Sequence, residues 1–442
     1  MSIYRYTLSG YHAIKKADIT IDGITVLAGE NGCGKSTLSR WLYYLVNGAQ
    51  RFEELTIKAF YNDVYNNMQR QFVTVREMRF YLPKSVLSQS DDFLSNFRLH
   101  ARYSSSVQQV QDDFVKFIHN MGRLIKDYID NTKSDKNRER LFRYLNLEYD
   151  ESDNDNPMLL VDNYIDSNLQ WLNNRVDKLH TDLELRSLSQ FYDNIYHEYE
   201  EDDIIPKHLY LWEDEVELIG KKRISSLFNL ERSIYIDTPM ALTDEFPDNV
   251  FWNELRTLVT NRPKHKLELS EKKLLRRIND ILHGKAKMKK SDLDDDELHF
   301  VSDDGKVNIP IEKAATGFKT FIYLQRLLEN GYLGSNCLLL IDEPEAHLHP
   351  QWIVEYARLL VLLHKELGQK IMLATHNPDM VAAIRSIAEK EQVLDKTNFY
   401  ISEPSGKSNT YCYKALGTDI SEIFTSFNIA LDRIQAYGTD NL

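Results

Sequence analysis

An α/β fold, a mixed sheet flanked by helices and split by a large, mainly helical insertion, is predicted by three features of this 442-residue sequence. The first is a strand–glycine turn–helix succession. The apolar run Ile24-Thr25-Val26-Leu27-Ala28 leads through Gly29-Glu30-Asn31-Gly32-Cys33-Gly34-Lys35-Ser36 into Thr37-Leu38-Ser39-Arg40-Trp41-Leu42. The second is a pair of later apolar runs, Cys337–Ile341 and Lys370–Ala374, each ending in polar residues, as buried parallel strands do. The third is the helical periodicity that dominates the middle of the chain. The expected divisions are residues 1–50, 51–295 with a return to the sheet near 230–240, and 296–442.

Taken in order, Ser2–Leu8 and Ala17–Ile21 read as strands around a turn at Ser9-Gly10-Tyr11-His12, and Asp22-Gly23 as a tight turn. Residues 36–47 carry apolar positions 38, 41, 42, 45 and 46 on one helical face. Helical spacing recurs in Val107, Val110, Phe114, Phe117, Ile118, Met121 and Ile125, and again from Leu159 to Leu179. Acidic breaks at 148–155 and 198–203 read as solvated loops, and Ser233–Ile236 as a strand. The basic segment Arg262 to Lys290, with Lys285, Lys287, Lys289 and Lys290 at its end, reads equally as a phosphate-binding face or a solvated helix. Leu298–Val301 and Lys306–Ile311 flank a hairpin turn at Asp303-Asp304-Gly305. A helix is predicted over 317–330, another over Pro350–Lys365, and a last strand pair at Thr397–Ile401 and Thr410–Tyr413.

The net charge of −13 argues against general coating of nucleic acid or membrane, though not against a local basic face. Cys33, Cys337 and Cys412 are widely separated and show no metal-binding spacing, which points to a reducing cytoplasm and no structural zinc. No apolar run approaches the ~20 residues that span a bilayer, so no membrane partner is expected.

The chemistry concentrates in three places. Gly29, Asn31, Gly32, Cys33 and Gly34 match the glycine-rich loop whose backbone N–H groups cradle phosphates at a helix N-terminus, with Thr37 just beyond it. Lys35 would reach the β- and γ-phosphates of ATP, and the Ser36 hydroxyl would ligate Mg²⁺. The competing reading, an ordinary glycine turn, leaves the four fixed positions of the pattern unexplained. Next, Leu338-Leu339-Leu340-Ile341 ends in Asp342-Glu343, where ligands of open α/β sheets collect. Asp342 fits the metal-ordering role and Glu343 the group that polarises an attacking water. Finally, Thr375-His376 ends another strand. His376 could bond the γ-phosphate or hold that water.

These three runs, with Glu343-Pro344-Glu345-Ala346-His347-Leu348-His349-Pro350 and Ala374-Thr375-His376-Asn377-Pro378, resemble the P-loop ABC-type ATPase head of SMC, RecF and overcoming-lysogenization-defect proteins. The acidic run is most similar to the ATPase subunits of anti-phage systems such as Septu, PARIS and retrons. The resemblance covers residues 1–48 and about 297–400. It implies hydrolysis of ATP with Mg²⁺ between two protomers, in a homodimer or an assembly of dimers. A signature motif opening a helix upstream of the acidic strand would touch the partner's ATP. Ala315-Thr316-Gly317-Phe318-Lys319 stands there, so Thr316, Gly317 and Lys319 become nucleotide contacts, although the usual L-S-G-G-Q has lost its second glycine and its glutamine. An ordinary threonine helix cap is the alternative. The resemblance also implies a glutamine after an early strand, for which Gln71 and Gln89 are candidates, and an adenine-stacking aromatic, either Tyr11 or His12.

Two roles compete. One is an anti-phage subunit that controls a separate effector such as a nuclease from the same operon. The other is a DNA-repair ATPase of the RecF or Rad50 type that holds DNA, or RNA, along residues 262–290. A transporter's nucleotide-binding subunit is a third reading, which the large insertion disfavours.

Overall fold

The structure, a computed structural model, describes residues 2–77, 106–132, 135–145, 147, 156–199, 204–220, 223–242, 250–261, 266–290, 296–406 and 409–425. In chain order these form β1 (Tyr4–Tyr11), β2 (Ile14–Ile21), β3 (Ile24–Ala28), α1 (Lys35–Gln50), α2 (Phe52–Glu77), α3 (Val107–Asn131), α4 (Asp135–Tyr144), α5 (Pro157–Leu185) and α6 (Leu188–Tyr199). There follow β4 (His208–Glu213), β5 (Val216–Ile219), β6 (Arg232–Ile236), α7 (Val250–Thr260), α8 (Leu269–Leu282), β7 (Gly284–Lys290), β8 (Asp296–Ser302) and β9 (Asn308–Pro310). The chain continues through α9 (Thr316–Glu329), β10 (Cys337–Asp342), α10 (Pro350–Leu367), β11 (Lys370–Thr375), α11 (Pro378–Lys390), β12 (Thr397–Pro404) and β13 (Tyr411–Gly417). Two compact units divide them: Met1–Gln50 with Phe191–Leu442, and Arg51–Gln190.

The first unit is built on a ten-stranded mixed sheet of order β5-β4-β1-β2-β13-β12-β3-β11-β10-β6. Its right half, β12-β3-β11-β10-β6, is parallel. Those strands are apolar on both sides because both sides are covered: every residue of β3, β10 and β11 is buried. Ile24, Val26, Ile371 and Leu373 share a core with Phe321 and Leu324 of α9, Leu360 and Leu363 of α10, and Ile384 of α11. The helix α1 packs on β6, β10 and β11. The left half, β5-β4-β1-β2, is antiparallel, and β1 and β4 alternate inward and outward positions as one-face-solvated strands do. A separate three-stranded sheet has the order β7-β8-β9.

Helix starts follow local chemistry. His349 and Asn377 cap α10 and α11 with side-chain acceptors, and each is followed by a proline that has no N–H to leave orphaned. Gly368 ends α10 in the left-handed conformation, φ +67°.

The second unit has its own core, from Phe60, Val64 and Met68 of α2, Phe114, Ile118 and Ile125 of α3, Phe142 of α4, and Val161, Tyr164 and Leu172 of α5. The expected apolar stripe of α3 is confirmed. In α5, Leu159 instead faces solvent at 58% exposure, while Asn168 is buried.

Three expectations shift. The return to the sheet expected near 230–240 is β6, but the chain is back in the sheet-containing unit already from Phe191, because β4 and β5 belong to that sheet as well. The first turn is at His12-Ala13, with His12 at φ +45°, and Gly10 lies inside β1. The basic segment is not one helix: it divides into α8 and the edge strand β7, with Arg262 and Lys264 outside the described residues. No described helix is long and apolar enough to cross a membrane.

Candidate functional site

Strand register assembles the site. Ala28 pairs with Thr375, and Ala374 with Asp342, so the glycine loop after β3, the histidine after β11 and the acids ending β10 emerge side by side at one edge of the parallel half-sheet. Gly32 and Gly34 take φ of +81° and +94°, which only glycine adopts without strain, and this turns the loop back over the start of α1. At Gly29 a Cβ would stand 2.0 Å from Ser402 Oγ and 3.0 Å from Cys33 Sγ, so a larger residue there would have to displace those side chains. Lys35 is buried, its ammonium donating to the carbonyls of Gly29 at 2.8 Å and Glu30 at 2.9 Å. Those bonds hold the loop closed around the charge that would meet a phosphate. Cys33, with no exposed surface, has its sulfur 3.6 Å from Tyr413 Oη.

Asp342 is 5% exposed. Ser39 Oγ donates to its Oδ1 at 2.7 Å and Tyr235 Oη to its Oδ2 at 2.7 Å. Burial lifts its carboxyl above the usual carboxylate range, opposed by the hydroxyls of Tyr235, Ser39 and Ser36 and by the charge of Arg40. A cavity of about 410 Å³ opens here, lined by Ser36, Arg40, Tyr235, Asp237, Phe251, Asp342 and Glu343. Asp237, just past β6, is held by Trp252 Nε1 at 2.9 and 3.1 Å, and burial raises its carboxyl as well.

Glu343 breaks from the strand with φ +45°, a strained conformation for glutamate, while its N–H donates to Ala374 O at 2.8 Å. That turn carries its carboxylate to 3.4 Å from His376 Nδ1. Glu345 reaches the same imidazole nitrogen at 3.5 Å and is itself buried.

Among the described residues no cluster of three or more His, Cys, Asp or Glu could hold a metal alone. The Ser36 hydroxyl beside Asp342 is nevertheless an all-oxygen donor pair, the set that suits Mg²⁺ bound through one carboxylate and substrate phosphates. The glycine cradle likewise fits a triphosphate.

The signature candidates are placed differently. Thr316 is the first residue of α9, and the capping position is Ala315, which has no side-chain bond to give. The Phe318 N–H is already used, donating to Ala315 O at 2.9 Å. Lys319 is turned inward, donating to Glu312 O at 2.9 Å, and burial lowers its ammonium's basicity; the positive charge expected beside a phosphate is directed elsewhere. Gly317 is needed for close approach, because a Cβ there would lie 3.0 Å from His347 O. Gln71 belongs to the second unit, where it bonds to Asn168 at 3.1 Å and to Tyr164. Gln89 lies outside the described residues. Tyr11 packs edge-on against Trp41 and is buried, whereas His12 is exposed on a turn that continues into Ile14, beside Gly34.

Ser39, Tyr235, Asp237 and Glu345 were missed. Ser39 lies three residues after Ser36, one helical turn along α1, and Ile234-Tyr235-Ile236-Asp237 repeats the pattern of an apolar strand ending in an acid. Neither signal says which side chains meet until the strand order is known.

Residues 1–381 match the family described as AAA ATPase domain. The chain is 33% identical over 116 residues to a methionine import ATP-binding protein, MetN, of Lactobacillus delbrueckii subsp. bulgaricus, covering 24% of this chain and 31% of that protein. It thus spans about a third of the length of the curated relatives it matches. Similar solved structures include the Smc head bound to the C-winged helix domain of ScpA, at 11% identity, TM-score 0.38, and coverage of 96% and 99% of the two chains. The SMC head domain from Thermotoga maritima is another, at 9% identity, TM-score 0.35, and coverage of 94% and 99%.

Proposed function

The chain belongs to the AAA ATPase domain family, and on that premise we propose that it binds and hydrolyses ATP with Mg²⁺ in an ABC-type head that closes against a second copy of itself. One observation carries the reading: the register that sets the glycine loop, Ser36, Asp342, Glu343 and His376 along one strand edge. Lys35 and the loop N–H groups would bind the phosphates, while Ser36 and Asp342 would hold Mg²⁺, which supplies neutralisation of phosphate charge. Glu343 accepts a proton from water as its oxygen bonds to the γ-phosphorus, and the bond from that phosphorus to the β,γ-bridging oxygen breaks, leaving ADP and phosphate. His376 orients that water or the phosphate. Thr316 and Gly317 at the start of α9 are the contacts offered to the partner copy's nucleotide.

Glu343→Gln is the test. With Mg²⁺ and ATP it should retain nucleotide, lose turnover by ~10²–10⁴-fold, and run as a dimer in light scattering. Normal turnover, or a monomer with ATP bound, refutes the reading.

In the cell, we place this head in a cytoplasmic anti-phage complex that senses or scaffolds and restrains a separate effector, a nuclease by preference, from the same operon. Support is the wording of the Glu343–Pro350 run. Co-purification from the native operon should bring down the effector; a chain that cleaves DNA alone with Mg²⁺ overturns it.

A second reading, nucleic-acid handling, draws on β7. Lys285, Lys287 and Lys289 are exposed on one face of this edge strand, at a spacing of roughly 6.8 Å given a rise of about 3.4 Å per residue. Charge reversal at the three should weaken duplex binding and lower the salt slope by ~1 per lost phosphate contact. Unchanged binding removes it.

A further inference from the structure

Glu345 is an acid that the hydrolytic scheme above does not use, yet it is the most enclosed carboxylate touching the histidine. Its side chain is 5% exposed, against 43% for Glu343 and 43% for His376. One oxygen, Oε1, takes the Thr375 hydroxyl at 2.7 Å and the His376 N–H at 3.2 Å, and lies 3.5 Å from His376 Nδ1. The Thr375 hydroxyl in turn accepts the Asn377 N–H at 3.0 Å. The other oxygen, Oε2, is buried and has no hydrogen-bond partner. A carboxylate held on one oxygen only is a costly way to tie a strand to a loop, since a buried unsatisfied oxygen is destabilising. A neutral glutamine oxygen would accept the same Thr375 and main-chain bonds. Glutamine would turn that same oxygen to Nδ1, so only a side chain with no acceptor removes the contact with the imidazole.

We infer that Glu345 is a positioning residue that fixes the tautomer and ring orientation of His376. Ionised carboxylates only accept. Two carboxyl groups, through Glu343 Oε1 and Glu345 Oε1, face Nδ1 at 3.4 and 3.5 Å, an arrangement that favours a proton on Nδ1, and the flipped ring would set a carbon against both oxygens. With the proton on Nδ1, the neutral form of the ring has Nε2 left as an acceptor. That role suits a water O–H and not a phosphate oxygen, so the proposal chooses between the two tasks open to His376. It rests on the hydrolytic reading for its consequence in turnover, but not for the tautomer itself.

The test is imidazole nitrogen NMR on the full chain labelled with ¹⁵N-histidine, with His376 assigned by its loss in His376→Asn. The unaltered, nucleotide-free chain should show the Nδ1–H form. Glu345→Leu, which removes the acceptor, should move it toward the Nε2–H form, with kcat lowered at least ~10-fold and KM for ATP within about twofold. Glu345→Gln, which keeps an oxygen on the same bonds, should retain the Nδ1–H form. Thr375→Val, which removes the hydroxyl's bond to Glu345 Oε1 and the one it accepts from the Asn377 N–H but leaves both carboxyl groups in place, should keep the Nδ1–H signature. An Nε2–H form in the unaltered chain overturns the proposal even if every variant fails to fold, as does a Glu345→Leu chain with unchanged tautomer or unchanged kcat. If the unaltered chain turns over no ATP, the hydrolytic reading alone falls, and the spectrum still judges Glu345.

Discussion

Replacing Tyr235 by Phe removes one hydroxyl and tests how the central carboxylate is held. Asp342 takes Ser39 Oγ on Oδ1 and Tyr235 Oη on Oδ2, both at 2.7 Å, with the Ser36 hydroxyl beside them. Hydrogen bonds to a charged group contribute about 1.5–3 kcal/mol, so Tyr235→Phe should cost that much. Unfolding entropy of about 2.1 cal/mol/K per residue over the roughly 300 residues of the first unit converts this to a Tm lower by roughly 2–5 °C. The sign with pH is also set. Burial raises the Asp342 carboxyl, so its charge, and with it the need for a donor, declines first as pH falls. The loss should therefore be larger at pH 7.5 than at pH 5. Ser39→Ala with Tyr235→Phe should depart from additivity, because both act on one carboxylate. Thermal melts in EDTA without nucleotide measure all of this. An unchanged Tm, or an equal loss at both pH values, would refute the account of Asp342.

Other outcomes follow from the same geometry. Lys35→Ala should weaken Mg²⁺-ATP binding by ~10–100-fold, the equivalent of about 1.5–3 kcal/mol for a charge-assisted contact; titration calorimetry that finds the same Kd would mean the glycine loop does not hold phosphate. Stability should fall above about pH 10. Tyr6, Tyr43 and Tyr235 are held protonated by burial, their values raised well above 10.0, so the stability they add is complete below the unfolded value and is lost as pH rises past it. Each such group contributes a loss of ~1.4 kcal/mol per pH unit beyond that point, which urea titrations at pH 9 and 11 would detect.

The local pieces were legible because local chemistry specifies them. A glycine loop between an apolar strand and a helix, an all-apolar strand closing in Asp342-Glu343, and Asn377-Pro378 or His349-Pro350 at helix starts each depend on residues adjacent in the chain. The phosphate loop, the two acids and His376 could thus be named from the sequence. Tertiary structure alone decided which distant residues complete them. Tyr235 and Ser39 reach Asp342 from 107 and 303 residues away, and only the order β11-β10-β6, with α1 packed on those strands, brings them within 2.7 Å. The same holds where expectation shifted. Lys319 turned inward because the carbonyl of Glu312 lay within reach, and Gln71 was claimed by a polar cluster in a different unit. A buried polar group takes the partner that folding brings to it, and sequence separation says nothing about which partner that is.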